Sequence, residues 1–233
     1  MTNQSSDAEA KRVLVIAAHP DDPEFGCAGT IAKWADQGQE VHYALLTSGD
    51  QGNRDRSVHP SEMAYLREAE QRAAAQVLGV RSVEFLRYPD GLVENTIELR
   101  RRLCGLIRRH RPHAVVAIDP WRPYQLHPDH RAAGFGALDA ARGSHSWNLF
   151  PEQLTGLEPW RVQEVYLFWT GAPDHWEDVT DYMERRIEAL FCHASQMRDR
   201  ASAFEQRLRE TARAAGEAQG YAYAEAFKRL VTG

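Results

Sequence analysis

Cysteine is scarce in this chain: Cys27, Cys104 and Cys192 are the only three, odd in number and widely separated. That excludes a disulfide framework and a Cys-x-x-Cys metal site. Long hydrophobic runs are missing too. None approaches the roughly 20 apolar residues of a membrane span, and the polar stretch from Met1 to Lys11 has no apolar signal core. Charge of neither sign is concentrated. The 28 basic and 33 acidic side chains give a net charge of −5, with no basic block suited to a phosphate backbone, which argues against nucleic acid as a partner. No Gly/Ser linker, repeat or low-complexity tract divides the 233 residues. A flexible tail over residues 1–11 and a single domain over residues 12–233 are therefore expected. A soluble, cytoplasmic domain with no membrane involvement is the simplest reading of these absences.

What is present is an alternation of strand-like and helix-like segments. Arg12 to Ala17, Val41 to Thr47, Ser82 to Leu86 and Ala114 to Ile118 read as strands. Between them Gly26 to Asp36, Ser61 to Leu78 and Ile97 to Arg109 read as helices. Such an order predicts an α/β fold, a Rossmann-like three-layer α/β/α sandwich with a mostly parallel sheet. Val165 to Trp169 is expected as a further strand, followed by helices over Asp181 to Gln196 and Arg198 to Leu230. Four of the six tryptophans (Trp147, Trp160, Trp169, Trp176) fall between Ser144 and Glu177, as core, interface or sugar-stacking rings.

Two clusters carry the chemistry. Ala18-His19-Pro20-Asp21-Asp22-Pro23-Glu24 directly follows the apolar run Val13 to Ala17, which puts an imidazole and two carboxylates at the end of a buried strand. A divalent metal accounts for them, because imidazole and carboxylate both ligate zinc and its charge offsets their desolvation. His127-Pro128-Asp129-His130 is the second cluster. His19, Asp22 and one of its histidines would make the three-ligand set of a catalytic zinc. Asp21 would then face the reacting water, since adjacent carboxylates leave a turning backbone in different directions.

Plainer roles are open to the same residues. Asp21 or Asp22, and Asp129 before a helix near His130, are good N-caps, and Glu24 reads as a helix-start charge. A helix with Glu62, Arg67, Glu68, Glu70 and Arg72 would ordinarily present a solvated face with local ion pairs. His42, His59, His110, His113, His145 and His175 have no metal-like neighbour in sequence and read as ordinary residues.

The chain resembles the LmbE-like (PIG-L) family of zinc-dependent N-acetylglucosaminyl deacetylases. The resemblance rests on both clusters and on the ordered segments between and beyond them: Leu46-Thr47-Ser48-Gly49-Asp50, Arg67-Glu68 with Glu70, Leu78-Gly79-Val80, Asp90-Gly91-Leu92 and His193-Ala194-Ser195-Gln196. It implies that His19, Asp22 and His130 bind Zn2+, with Fe2+ as the alternative in the cell. Asp21 would be the general base, His127 the oxyanion stabiliser or the acid for the departing amine, and Asp129 the residue that orients His127. Arg67 and Asp90 match substrate-pocket positions. Tyr124 stands nearest to a tyrosine that assists the oxyanion in some members, at a different spacing. His193 belongs to the terminal pattern, with a structural or interfacial role expected.

The implied activity is removal of the N-acetyl group from an N-acetylglucosamine-type amino sugar or its glycoconjugate. The implied assembly is a homo-oligomer, often hexameric in the family. A zinc amidase acting on a thiol conjugate would use the same residues. A non-catalytic metal- or nucleotide-binding Rossmann-like protein is the rival from another class. Against nucleotide binding, Gly26-Cys27-Ala28-Gly29 is not Gly-x-Gly-x-x-Gly, and His-Pro-Asp-Asp puts negative charge where a pyrophosphate would sit.

Overall fold

Val13 to Ala17 is apolar at every position, and such a strand must be covered on both faces. In the computed structural model, which describes residues 10–53 and 55–232, it is an interior strand, third in a sheet of seven. Residues 1–9 of the expected N-terminal tail lie outside the described residues. Strand β1 (Arg12–Ala17) leads into helices α1 (Asp22–Gly26) and α2 (Ala28–Asp36), then β2 (Glu40–Thr47), α3 (Pro60–Leu78), β3 (Ser82–Tyr88), α4 (Ile97–His110), β4 (Ala114–Ile118) and α5 (Pro128–Gly143). The remainder is β5 (Glu164–Phe168), β6 (His175–Asp178), α6 (Met183–Phe191), the short α7 (Ala194–Met197), α8 (Ala201–Glu217) and β7 (Ala224–Val231).

The strands order as β3-β2-β1-β4-β5-β7-β6. The first five are parallel, and β7 runs antiparallel between β5 and β6. Helices α2, α3 and α6 pack together on one face and α4 pairs with α5 on the other, giving the α/β/α sandwich expected from the sequence. The strand order reverses between the parallel β1 and β4, so the crevice at their carboxyl ends is the switch point where ligands bind in open α/β sheets. Both clusters follow these two strands.

Close helix–sheet approach fixes the second cluster. A Cβ at Gly134 of α5 would lie 2.4 Å from the Ile118 carbonyl at the end of β4, so only glycine lets α5 seat there. On the same face the fully buried Arg108 guanidinium donates to the carbonyls of Ser144, Ser146, Leu149 and Phe150 and to Gln153, tying down the start of the tryptophan-rich region. Its tryptophans divide: Trp147 is exposed, Trp160 Nε1 donates to the Pro112 carbonyl, Trp169 directly follows β5 and Trp176 lies in β6.

The carboxyl-terminal third departs from expectation. The helix expected over Arg198 to Leu230 ends at Glu217, and the last eight residues of structure form β7. Gly220, at φ +75°, turns the chain, and β7 then gains ladder bonds from β5 and β6, which outweigh the helix propensity of an Ala-rich segment. The helix expected over Gly26 to Asp36 breaks at Cys27, and that over Asp181 to Gln196 breaks into a 3-10 turn, α6 and α7. Strand β6, which exists as the partner of β7, was not foreseen.

Candidate metal centre

The turn after β1 is built around one carboxylate. Asp22 Oδ2 accepts from the backbone N–H groups of Ala18 (3.1 Å) and His19 (2.8 Å), closing the turn back on the strand end. Its other oxygen, Oδ1, lies 3.3 Å from His130 Nε2, while Oδ2 lies 3.4 Å from His19 Nδ1. Asp22 is 4% and His19 6% exposed. From the opposite side α5 opens with His127 at its N-cap position, and the His127 ring stacks on that of His130 with centroids 4.6 Å apart.

These donors fit a zinc-sized cation. Donor atoms of His19, Asp22 and His130 all lie within 4.8 Å of one another. Two ligands of a tetrahedral ion with bonds near 2.1 Å sit roughly 3.4 Å apart, close to the two nitrogen–oxygen separations found here. Two imidazoles and a carboxylate are also the hard-to-borderline set that zinc or ferrous iron accepts.

A second layer supports the first. His19 Nε2 lies 3.1 Å from Asp129 Oδ2 and 3.0 Å from Asp90 Oδ1, leaving Nδ1 on the Asp22 side. Asp129 in turn accepts from the N–H groups of Gly91 (2.7 Å) and Val93 (3.0 Å). This is the carboxylate–histidine arrangement that fixes the tautomer and orientation of a ligating imidazole. Asp129 therefore differs from both sequence expectations. It does not cap α5, whose N-cap is His127, and its hydrogen bonds go to His19 and the 91–93 turn instead of His127.

Asp21 occupies the N-cap position of α1 at φ +87° but makes no capping bond with its side chain. Instead Oδ2 accepts from Arg67 Nη2 at 3.1 Å, and its backbone N–H donates to Gln71 Oε1 at 3.0 Å. Arg67 and Gln71 are one turn apart on α3 and so reach the same place. Arg67 is buried and also donates to the carbonyls of Gly49 (3.1 Å) and Pro20 (2.5 Å). Gly49 is required by that contact: at φ +67°, a Cβ there would lie 2.1 Å from Arg67 Nη1. The solvated face expected for α3 is thus partly an inward, buried one.

The electrostatics follow from this packing. Burial opposes charge on Asp22, but His130 and His19 override it and hold its carboxyl well below the usual range. Burial likewise works against the His19 cation, yet Asp129, Asp22 and Asp90 raise it well above an ordinary histidine. Asp21 moves the other way. Burial, reinforced by the Asp22 charge, pushes it up to about 6 although Arg67 faces it. Burial and the imidazoles of His19 and His130 lower His127, which favours its neutral ring.

An open pocket of about 330 Å3 is lined by the cluster together with Arg67, Asp90, Gln51 and Gly52. Asp90 and Arg67 thus border it, although each also spends polar atoms inside the protein. Tyr124 does not: it is 95% exposed on the loop after β4, at φ +61°, with its ring in solvent. Glu24 and His193 are fully buried and meet at 3.2 Å, with Gln71 Nε2 donating to Glu24. Sequence reasoning missed Gln71 in this set; its spacing of four from Arg67 was the available signal.

A mostly parallel α/β sheet with three candidate His/Asp metal donors and an adjacent half-buried carboxylate at its switch point is the construction of a Rossmann-like metal-dependent enzyme. The chain belongs to the PIG-L family (GlcNAc-PI de-N-acetylase), whose profile matches residues 14–141. It is 37% identical to a diacetylchitobiose deacetylase of Thermococcus kodakarensis, covering 94% of this chain and 83% of that one. The solved N,N'-diacetylchitobiose deacetylase of Pyrococcus horikoshii, complexed with an inhibitor, superposes with a TM-score of 0.92 at 37% identity, over 96% of this chain and 85% of that chain. A 4-carboxy-2-hydroxymuconate hydratase of Pseudomonas putida also shares the architecture, with a TM-score of 0.83 at 25% identity over 96% and 97% of the two chains.

Proposed function

We propose that this protein is a zinc-dependent hydrolase that removes the N-acetyl group from an N-acetylglucosamine-type amino sugar or its glycoconjugate. The observation that carries the reading is the coincidence, at one strand edge, of three ligand-type donors with a separate carboxylate, Asp21, held by Arg67. His19, Asp22 and His130 would hold the cation, which when bound supplies a Lewis acid and brings a water's pKa towards roughly 7. Asp21 takes the water's proton. With a carboxyl near 6 it can hold that proton and return it to the departing amine, because a group titrating near the working pH serves as base and then acid. His127, favoured as a neutral ring, donates a hydrogen bond to the developing oxyanion. Arg67 and Gln71 fix Asp21 in its left-handed backbone conformation; Arg67 and Asp90 border the space where sugar hydroxyls would lie.

A homo-oligomer, hexameric as the resemblance implies, and a cytoplasmic location belong to the same reading. Three free cysteines support the latter. Among the described residues, no helix is long and apolar enough to cross a membrane.

The test is zinc-dependent acetate release from N,N'-diacetylchitobiose and other N-acetylglucosaminyl compounds, with metal content measured alongside. Asp21→Ala is expected to keep zinc and lose at least about 100-fold in kcat, whereas His19→Ala and His130→Ala lose metal and turnover together. No acetate from any compound by zinc-loaded protein would overturn the reading. It would redirect attention to a thiol-conjugated amide or to hydration, the reaction named for the Pseudomonas relative.

A further inference from the structure

A second cleft, of about 340 Å3, opens beside the metal centre and shares His130 with it. Trp169 forms one wall: it sits at φ +57° directly after β5, and its ring centroid is 5.4 Å from that of His130. A bulky residue in this backbone region is costly and persists where the surroundings over-determine it. On the far side α8 and α1 supply an edge-to-face pair, Phe25 and Phe204, with centroids 5.4 Å apart. The long helix α8 thus walls the cleft beside the metal centre as well as packing on β7.

The polar lining is one-sided. Arg122, from the loop after β4, and Arg207, from α8, both line the cleft, and no carboxylate does. Neither guanidinium has a hydrogen-bond or ion-pair partner among the described residues. The neighbouring arginines of α8 are engaged: Arg209 with Glu184 and Glu205, and Arg213 over the Tyr223 ring. In a chain with 33 acidic against 28 basic side chains, two uncommitted arginines facing one acid-free cleft are a departure from the background.

We propose that this cleft is the aglycone subsite and that it takes an aglycone bearing an anionic group, a carboxylate or a phosphate, seated on Trp169 and paired by Arg122 and Arg207. The inference rests on the deacetylase reading above. With the acetamide at the metal centre, the aglycone must extend into adjoining space, and this cleft borders His130, which also lines the metal-centre pocket. Aromatic walls suit a sugar or apolar body, and guanidinium groups suit planar or tetrahedral oxyanions through charge-assisted bonds.

The experiment compares kcat/KM for acetate release from three compounds. They are neutral N,N'-diacetylchitobiose, the N-acetylglucosaminyl glycoside of a uronic acid, and that of a sugar phosphate. Both acidic compounds, or the one whose anion matches the natural aglycone, are expected to exceed the neutral one, with the advantage in KM and shrinking as salt is raised. In Arg122→Ala and Arg207→Ala the acid-over-neutral ratio should fall about tenfold each, the worth of a charge-assisted hydrogen bond. Turnover of the neutral compound reports that each variant is folded and metal-loaded. The carboxylate and phosphate arms separate the two anion sources. Equal turnover of all three compounds with an unchanged ratio in both variants overturns the inference and leaves the deacetylase reading standing. No acetate from any of the three overturns both.

Discussion

Asp129 is a residue whose type was legible and whose task was not. Its carboxylate is shared among Gly91 N–H, Val93 N–H and His19 Nε2, so it ties the turn after β3 to the imidazole that follows β1. Asn at this position keeps the volume but places an amide where three donors converge. Asp129→Asn is expected to weaken zinc binding by about 10- to 100-fold, with kcat recovered by excess metal. A loss of kcat with metal affinity unchanged would return Asp129 to the task of orienting His127. Nothing in His-Pro-Asp-His says which imidazole the aspartate serves, because His127 is two residues away and His19 is 110 away. Distance along the chain hides the second pairing, and folding reverses the preference. Tyr124 fails for the complementary reason: near the cluster in sequence, it is turned outward by a left-handed backbone step.

At the scale of elements, α3 shows what periodicity conveys and what it omits. Its span was readable to within one residue, Ser61 against Pro60 at the start, whereas His59, read as an ordinary residue, caps it and forms a capping box with Glu62. Its charged face reads as solvated, yet Arg67, Glu68 and Glu70 are all buried against loops that come from elsewhere in the chain. Glu68 accepts from Ser48 Oγ at 2.7 Å and from Arg87 Nε at 2.8 Å, and also pairs with Arg72. Chiefly through Arg87, its carboxyl is lowered from 4.5 to about 2. A depressed carboxyl stabilises the fold above its unfolded value, and that contribution is lost as pH falls through the folded one. Glu68→Gln is therefore expected to lower Tm at pH 7 by roughly 2–4 °C, for a contribution of about 1 kcal/mol with both arginine partners exposed. The difference should shrink between about pH 4.5 and pH 2. A deficit independent of pH in thermal melts would mean that Glu68 acts through packing and not through charge.

For the whole molecule, the unforeseen β7 is the element that ties the end of the chain to its beginning. Glu225, 3% exposed in β7, accepts from the N–H groups of Gly29 (2.9 Å) and Thr30 (2.7 Å) at the start of α2, where Cys27 supplies no side-chain cap, and pairs with Arg186 at 3.0 Å. A carboxylate at a helix N-terminus is favourable, and here it comes from about 195 residues away. Glu225→Ala would leave Arg186 buried without this partner and two helix donors unmet. The expected cost is about 3–5 kcal/mol, a fall in Tm on the order of 10 °C. Calorimetry showing a shift of only a degree or two would overturn this tethering role.

The sequence by itself determined the alternation that gives a mostly parallel α/β sheet, the buried interior strand that opens it and the two His/Asp clusters at strand ends. Those are local matters, set by side-chain period, chain reversal and residue type. Only the tertiary structure decided that Asp129 serves His19, that Arg67 and Gln71 brace Asp21, that β7 replaces a helix and that Trp169, Arg122 and Arg207 border one cleft. Each of these joins residues remote in sequence. Their energies come from burial and hydrogen bonding across elements, terms that exist only once the sheet has brought the strand ends together.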